Sequence, residues 1–133
     1  MKRISAKQSK ELNQNFVKTR SKAIKNAIGK NDALSSWFSI DELQKFIDDV
    51  KKEGKDQGKV VNGIRVYFGA YPKEDKNDKK KDLSTVFLVP TEPYDSAMQK
   101  DGGDGDEGGN DIENLGGLNN GSSGWPPSGE YPQ

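Results

Sequence analysis

The sequence predicts an α+β protein: two helices packed on a small antiparallel sheet, followed by a disordered, acidic, Gly-rich C-terminal tail. Three observations lead there. Residues 34–91 hold 17 of the chain's 26 Leu, Ile, Val and Phe residues. Within that stretch the apolar pattern changes from a helical period to alternation. Beyond it the apolar residues nearly vanish, with 3 of the 26 in residues 92–133. The organisation expected is a basic amphipathic helix over 1–33, a compact α+β core over 34–93 and a flexible tail over 94–133.

The first helix is predicted from about Ser5 to Ile28, because the stretch lacks Pro and Gly29 stands where a helix stops. Leu12, Phe16, Ile24 and Ile28 mark its apolar side, joined by Val17, Ala23 and Ala27 and interrupted by Arg20. Lys7, Lys10, Lys18, Lys22 and Lys25 fall on the other side, so the helix is cationic and its apolar face is thin. A turn through Lys30, Asn31 and Asp32 leads to Leu34, Trp37 and Phe38.

Ser39-Ile40-Asp41-Glu42 has the spacing of a capping box, with Phe38 as the staple residue against Leu43. Ile40, Leu43, Ile47 and Val50, with Phe46 beside them, form the buried face expected of this second helix. Asp41–Lys45 and Asp48–Lys52 are its expected surface pairs, and Gly54 and Gly58 its end.

Two strands follow. Val60–Tyr71 is rich in β-branched and aromatic residues. Its alternation sets Ile64, Val66, Phe68 and Ala70 on one face and Arg65, Tyr67, Gly69 and Tyr71 on the other. Pro72 ends it, and residues 73–82 read as a charged, solvated connection. Leu83–Val89 is the second strand, ended by Pro90. A sheet of two strands leaves unpaired edges, so a protein partner or a homodimer is expected, with Leu83–Val89 as the pairing edge.

The tail, residues 101–133, has ten of the fifteen Gly, and its only aliphatic residues are Ile112, Leu115 and Leu118. Such a composition buries too little surface to offset its ordering entropy. At its end, Trp125 and Tyr131 among prolines resemble a short docking peptide.

Charge is sharply divided although the total is zero. Residues 1–30 carry nine Lys and Arg against Glu11, whereas residues 101–133 carry seven acids and no base. The chain has no Cys and no His. Disulfides, thiol nucleophiles, iron–sulfur clusters and Cys-ligated zinc are therefore impossible, and the usual general base is missing. No cofactor and no metal site is expected. Residues 101–111 look calcium-like, but a loop begun at Asp104 would place Gly108 and Leu115 where oxygen ligands are required. There is no apolar run long enough for a membrane span and no secretory h-region, so the expected setting is the cytoplasm.

Arg65, Tyr67 and Tyr71 are the polar cluster of the core and, with Trp125 and Tyr131, the candidate partner-binding residues. The competing reading is that Arg65 makes a structural ion pair while the tyrosines pack. The leading expectation is a non-catalytic interaction module, binding protein partners or itself, and not an enzyme. The alternative is a nonspecific nucleic-acid binder using Lys7, Lys10, Lys18, Lys22 and Lys25.

Trp37-Phe38-Ser39, the run from Val61 to Pro72 (VNGIRVYFGAYP) and the run from Thr85 to Thr91 (TVFLVPT) resemble a group of small bacterial proteins of no known function. The resemblance spans less than half of the chain. It implies a bacterial source and a recurring unit over 34–92, and no activity, cofactor or site residue.

Overall fold

A computed structural model describes residues 2–94, 108–119, 122, 123 and 129–133. The α+β class is as predicted. The elements run α1 (Ala6–Phe16), a π-helical turn (Val17–Ser21), α2 (Lys22–Ile28), β1 (Ser36–Trp37), α3 (Ile40–Asp56), β2 (Gly63–Ala70), β3 (Ser84–Glu92), β4 (Asn110–Asp111) and β5 (Ser122–Ser123). Two compact units form. One comprises Met1–Trp37, Gly69–Thr85 and Ser122–Gln133, the other Phe38–Phe68 and Val86–Gly121. Among the described residues no helix is long and apolar enough to cross a membrane.

In the first unit, α1 opens on a capping box that went unread in the sequence. The Gln8 N–H donates to Ser5 Oγ at 3.2 Å, and the Ser5 N–H to Gln8 Oε1 at 2.9 Å. Gly29, at φ 76°, closes α2 as expected. The half-buried row is Ser9, Asn13, Val17, Ser21, Ile24 and Ile28. Leu12 and Phe16, predicted to pack, are instead 61% and 37% exposed. The π turn explains the change. A row of i, i+4 neighbours drifts by roughly 40° per step at about 100° per residue. The wider turn takes up one residue and returns Ser21, Ile24 and Ile28 to the side of Ser9 and Asn13.

The core of this unit is Ala33 and Leu83, with Asp32 buried beside them. Asp32 is more than a turn residue. Its Oδ1 accepts the Ser84 N–H at 2.6 Å and its Oδ2 accepts the Ser84 hydroxyl, so it fixes the start of β3. Residues 73–82 form ordered turns, in which Asp75 and Asn77 accept the N–H groups of Asn77 and Lys79 at 2.9 and 3.0 Å. β1 pairs with β5 in antiparallel register, Ser36 with Ser123 and Trp37 with Ser122.

In the second unit, α3 begins on the predicted capping box: Glu42 N–H to Ser39 Oγ at 3.0 Å, and Ser39 N–H to Glu42 Oε2 at 3.3 Å. The helix runs through Gly54 and ends at Gly58, φ 72°. The Lys59 N–H reaches Gly54 O at 2.8 Å and the Gly58 N–H reaches Lys55 O at 3.0 Å, the paired bonds of a Schellman motif. A Cβ on Gly54 would lie 2.7 Å from Val61 Cγ2, so the glycine is required by packing. Val50 is buried, whereas Ile40, placed on the packed face by its spacing, is 79% exposed. Lys45 pairs with Asp49 rather than Asp41, and this partner raises the lysine's pKa.

The sheet of β2, β3 and β4 has β3 in the middle. Hydrogen bonds from Asn62 N–H to Thr91 O (2.9 Å) and from Tyr71 N–H to Leu83 O (3.0 Å) show that β2 and β3 run antiparallel. β4 is antiparallel to β3, Thr91 opposite Asp111 and Glu92 opposite Asn110. The contact continues where Leu88 and Leu118 exchange two hydrogen bonds of 2.9 Å. Ile112, 1% exposed, and Leu115, 5% exposed, belong to the core with Val50 and Leu88.

This corrects two expectations. Ile112 and Leu115 are core residues and not tail residues, because residues 108–119 add a third strand to the sheet. The Leu83–Val89 edge cannot be the pairing site over its whole length, because Leu88 is already bonded to Leu118. Residues 95–107 and 124–128, including Trp125 and most of the calcium-like segment, lie outside the described residues.

Candidate partner-binding site

Arg65 and Tyr67 are two residues apart on β2, so the strand's pleat sets them on one face. Both reach over β3 to β4, two strand spacings or about 10 Å away. A long guanidinium and a phenol suit that distance. Arg65 Nη1 pairs with Asp111 Oδ1, and Nη2 donates to Gly109 O at 2.7 Å. The Tyr67 hydroxyl donates to Asp111 Oδ2, so both carboxylate oxygens are engaged.

The Arg65 and Asp111 side chains are 32% and 29% exposed, which makes this a partly desolvated pair. Hydrogen bonding to Tyr67 does most to lift the Arg65 pKa above its ordinary value. Burial opposes the rise, and the charge of Asp111 adds to it. Tyr67 also stacks on Phe87, with centroids 5.2 Å apart and ring planes at 14°.

The strand beneath this clasp is held tightly. A Cβ on Gly109 would overlap the Glu92 carbonyl oxygen and stand 3.0 Å from Asn62 Oδ1. Asn62 Nδ2 donates to Gly108 O at 2.9 Å, and the Thr91 hydroxyl donates to Asn62 Oδ1 at 2.7 Å. Arg65 and Tyr67 are thus brought together, and what they hold is a segment of their own chain.

The other nominated residues sit in the first unit. The Tyr71 ring lies under Lys80 Nζ at 5.2 Å, and its hydroxyl oxygen is 3.4 Å from Thr85 Oγ1. Tyr131 is 40% exposed, and its N–H donates to Asn13 Oδ1 at 2.9 Å. Lys7, Lys10, Lys18, Lys22 and Lys25 are all exposed. Among the described residues none of the five has an ion-pair partner.

The surface that sequence reasoning missed is the outer side of β2. With β3 central, β2 is an edge strand of eight residues. Val66 is 53% exposed and Phe68 is 89% exposed, on the strand face that alternation gave to Ile64, Val66, Phe68 and Ala70. The available signal was the length of β2 beside only one other long strand. Natural edge strands are usually short, charged or covered. This one carries Arg65 as its single charge, and Asp111 already neutralises it.

The fold and these contacts define an α+β chain whose own C-terminal segment completes one side of its sheet, with no strand paired to the other side among the described residues. Comparison with protein-family models, with curated proteins and with solved structures finds no match to this chain.

Proposed function

We propose that the protein is a non-catalytic interaction module that takes an extended strand of another protein chain along the outer edge of β2, a second copy of itself in the simplest case. The observation that carries the reading is the eight-residue edge strand with Val66 and Phe68 facing solvent. Strand addition to such an edge gains main-chain hydrogen bonds, and exposed side chains at alternate positions supply selectivity. Burying the Phe68 ring contributes about 2 kcal/mol, or roughly thirtyfold in affinity. The cysteine-free sequence accords with a cytoplasmic setting.

The test pairs two measurements on wild type and Phe68→Lys. Light scattering over a range of concentrations reads self-association. Selection from a displayed library of peptides reads binding of foreign strands. The reading expects wild type to dimerise or to enrich peptides of alternating apolar character, and Phe68→Lys to lose that behaviour while melting at the same temperature. A wild type that stays monomeric and enriches nothing would refute it.

A further inference from the structure

The N-terminal helix carries a second surface, independent of β2. Lys7, Lys10, Lys18, Lys22 and Lys25 are exposed and, among the described residues, unpaired. Other lysines, Lys51, Lys52, Lys55, Lys73, Lys76 and Lys79, also have no ion-pair partner among the described residues, so what distinguishes the five is their alignment. Counting residues around the helix and allowing for the π turn, the five lysines fall within roughly 90° of the circumference. They extend over about 27 Å of helix axis.

At its N-terminal end this placement works against the helix itself. Lys7 lies in the first turn of α1, which contains no acid, and there the helix dipole disfavours a cation. Glu11 is the sole acid among residues 1–30. Lys25, in the last turn of α2, is favoured by the dipole, but local stability gives no reason for Lys7 at the other end of the row.

We infer that this lysine face binds the phosphodiester backbone of nucleic acid without regard to base sequence. A duplex presents one phosphate charge per about 1.7 Å of axis, so a row of this length meets more phosphates than it has lysines. A lipid surface suits it less well. Leu12 and Phe16 are the large apolar side chains exposed on α1, at 61% and 37%, and they offer little of the continuous apolar face that an interfacial helix buries.

The experiment uses the full chain and fluorescence anisotropy with a mixed-sequence duplex and a single strand of about 30 nucleotides, alongside vesicles containing phosphatidylserine. Both nucleic acids should bind at about 50 mM salt and weaken by about 200 mM, the duplex roughly 500-fold and the single strand roughly a hundredfold. Replacing all five lysines by Gln should reduce affinity at least tenfold at low salt, with the circular dichroism and melting temperature unchanged. Phe68→Lys should leave nucleic-acid binding intact, which separates this surface from the β2 edge. Absence of binding at low salt, full binding by the five-Gln variant, or stronger binding to the vesicles would each overturn the inference.

Discussion

Ile112 offers the sharpest test of the sheet's third strand. The side chain is 1% exposed, within a stretch whose composition reads as disordered tail. Ile112→Ala removes three carbons from a buried site beside β3, which can collapse only partly. The cost for a buried Ile→Ala change is about 3 kcal/mol. At about 4 °C per kcal/mol for a chain of this size, the melting temperature should fall by roughly 12 °C. Urea unfolding monitored by tryptophan fluorescence gives the free energy, and an unchanged m-value shows that the midpoint shift reports stability. Leu12→Ala is the control, because Leu12 is 61% exposed and its truncation should cost under about 0.5 kcal/mol. If Ile112→Ala is as mild as the control, residues 108–119 are not part of the folded core and the three-stranded sheet is wrong.

Three further outcomes are expected. Asp111→Ala leaves Arg65 Nη1 and the Tyr67 hydroxyl without their acceptor, and should cost about 1–2 kcal/mol after allowing for solvent screening; the Arg65→Ala/Asp111→Ala cycle should show a positive coupling that shrinks as salt rises. Ser39→Ala removes the N-cap of α3 and should cost about 1 kcal/mol, with Ser39→Gly closer to wild type. Replacing Asp101, Asp104, Asp106 and Glu107 by their amides should strengthen nucleic-acid binding at low salt and lose that advantage as salt rises, because it removes acids tethered to the same chain as the lysine face.

The parts of the fold that were legible in the sequence are those written in local chemistry. The Ser39–Glu42 box, Gly29, Gly58 and the alternation from Ile64 to Ala70 each name a backbone state without help from distant residues. What was not legible depends on long-range partners. β4 has two residues, Asn110 and Asp111, preceded by Gly108 and Gly109, and no local propensity marks it. Its signals were the spacing of Ile112, Leu115 and Leu118 and the need of Arg65 for an acid, and neither outweighs the surrounding glycines in a composition argument. The same gap misplaced the exposed surface. Once β4 takes one side of β3, the open edge left among the described residues is that of β2, and Val66 and Phe68 on its face are surface residues. In α1 the periodicity pointed to Leu12 and Phe16 beside Val17, and the π turn, invisible to a count based on 3.6 residues per turn, kept Val17 in the row and set Asn13 there instead of the other two.

Amide hydrogen exchange along β2 tests the central claim most directly. Asn62 and Tyr71 donate toward β3, so their amides should be protected in the free protein. The outward-facing amides of Gly63–Ala70 should exchange quickly in dilute protein. They should slow at least tenfold when a second copy or a selected peptide is bound, while amides of α3 stay as they were. A complex that forms with the β2 amides still exchanging at their free rate would place the interface elsewhere and contradict the account.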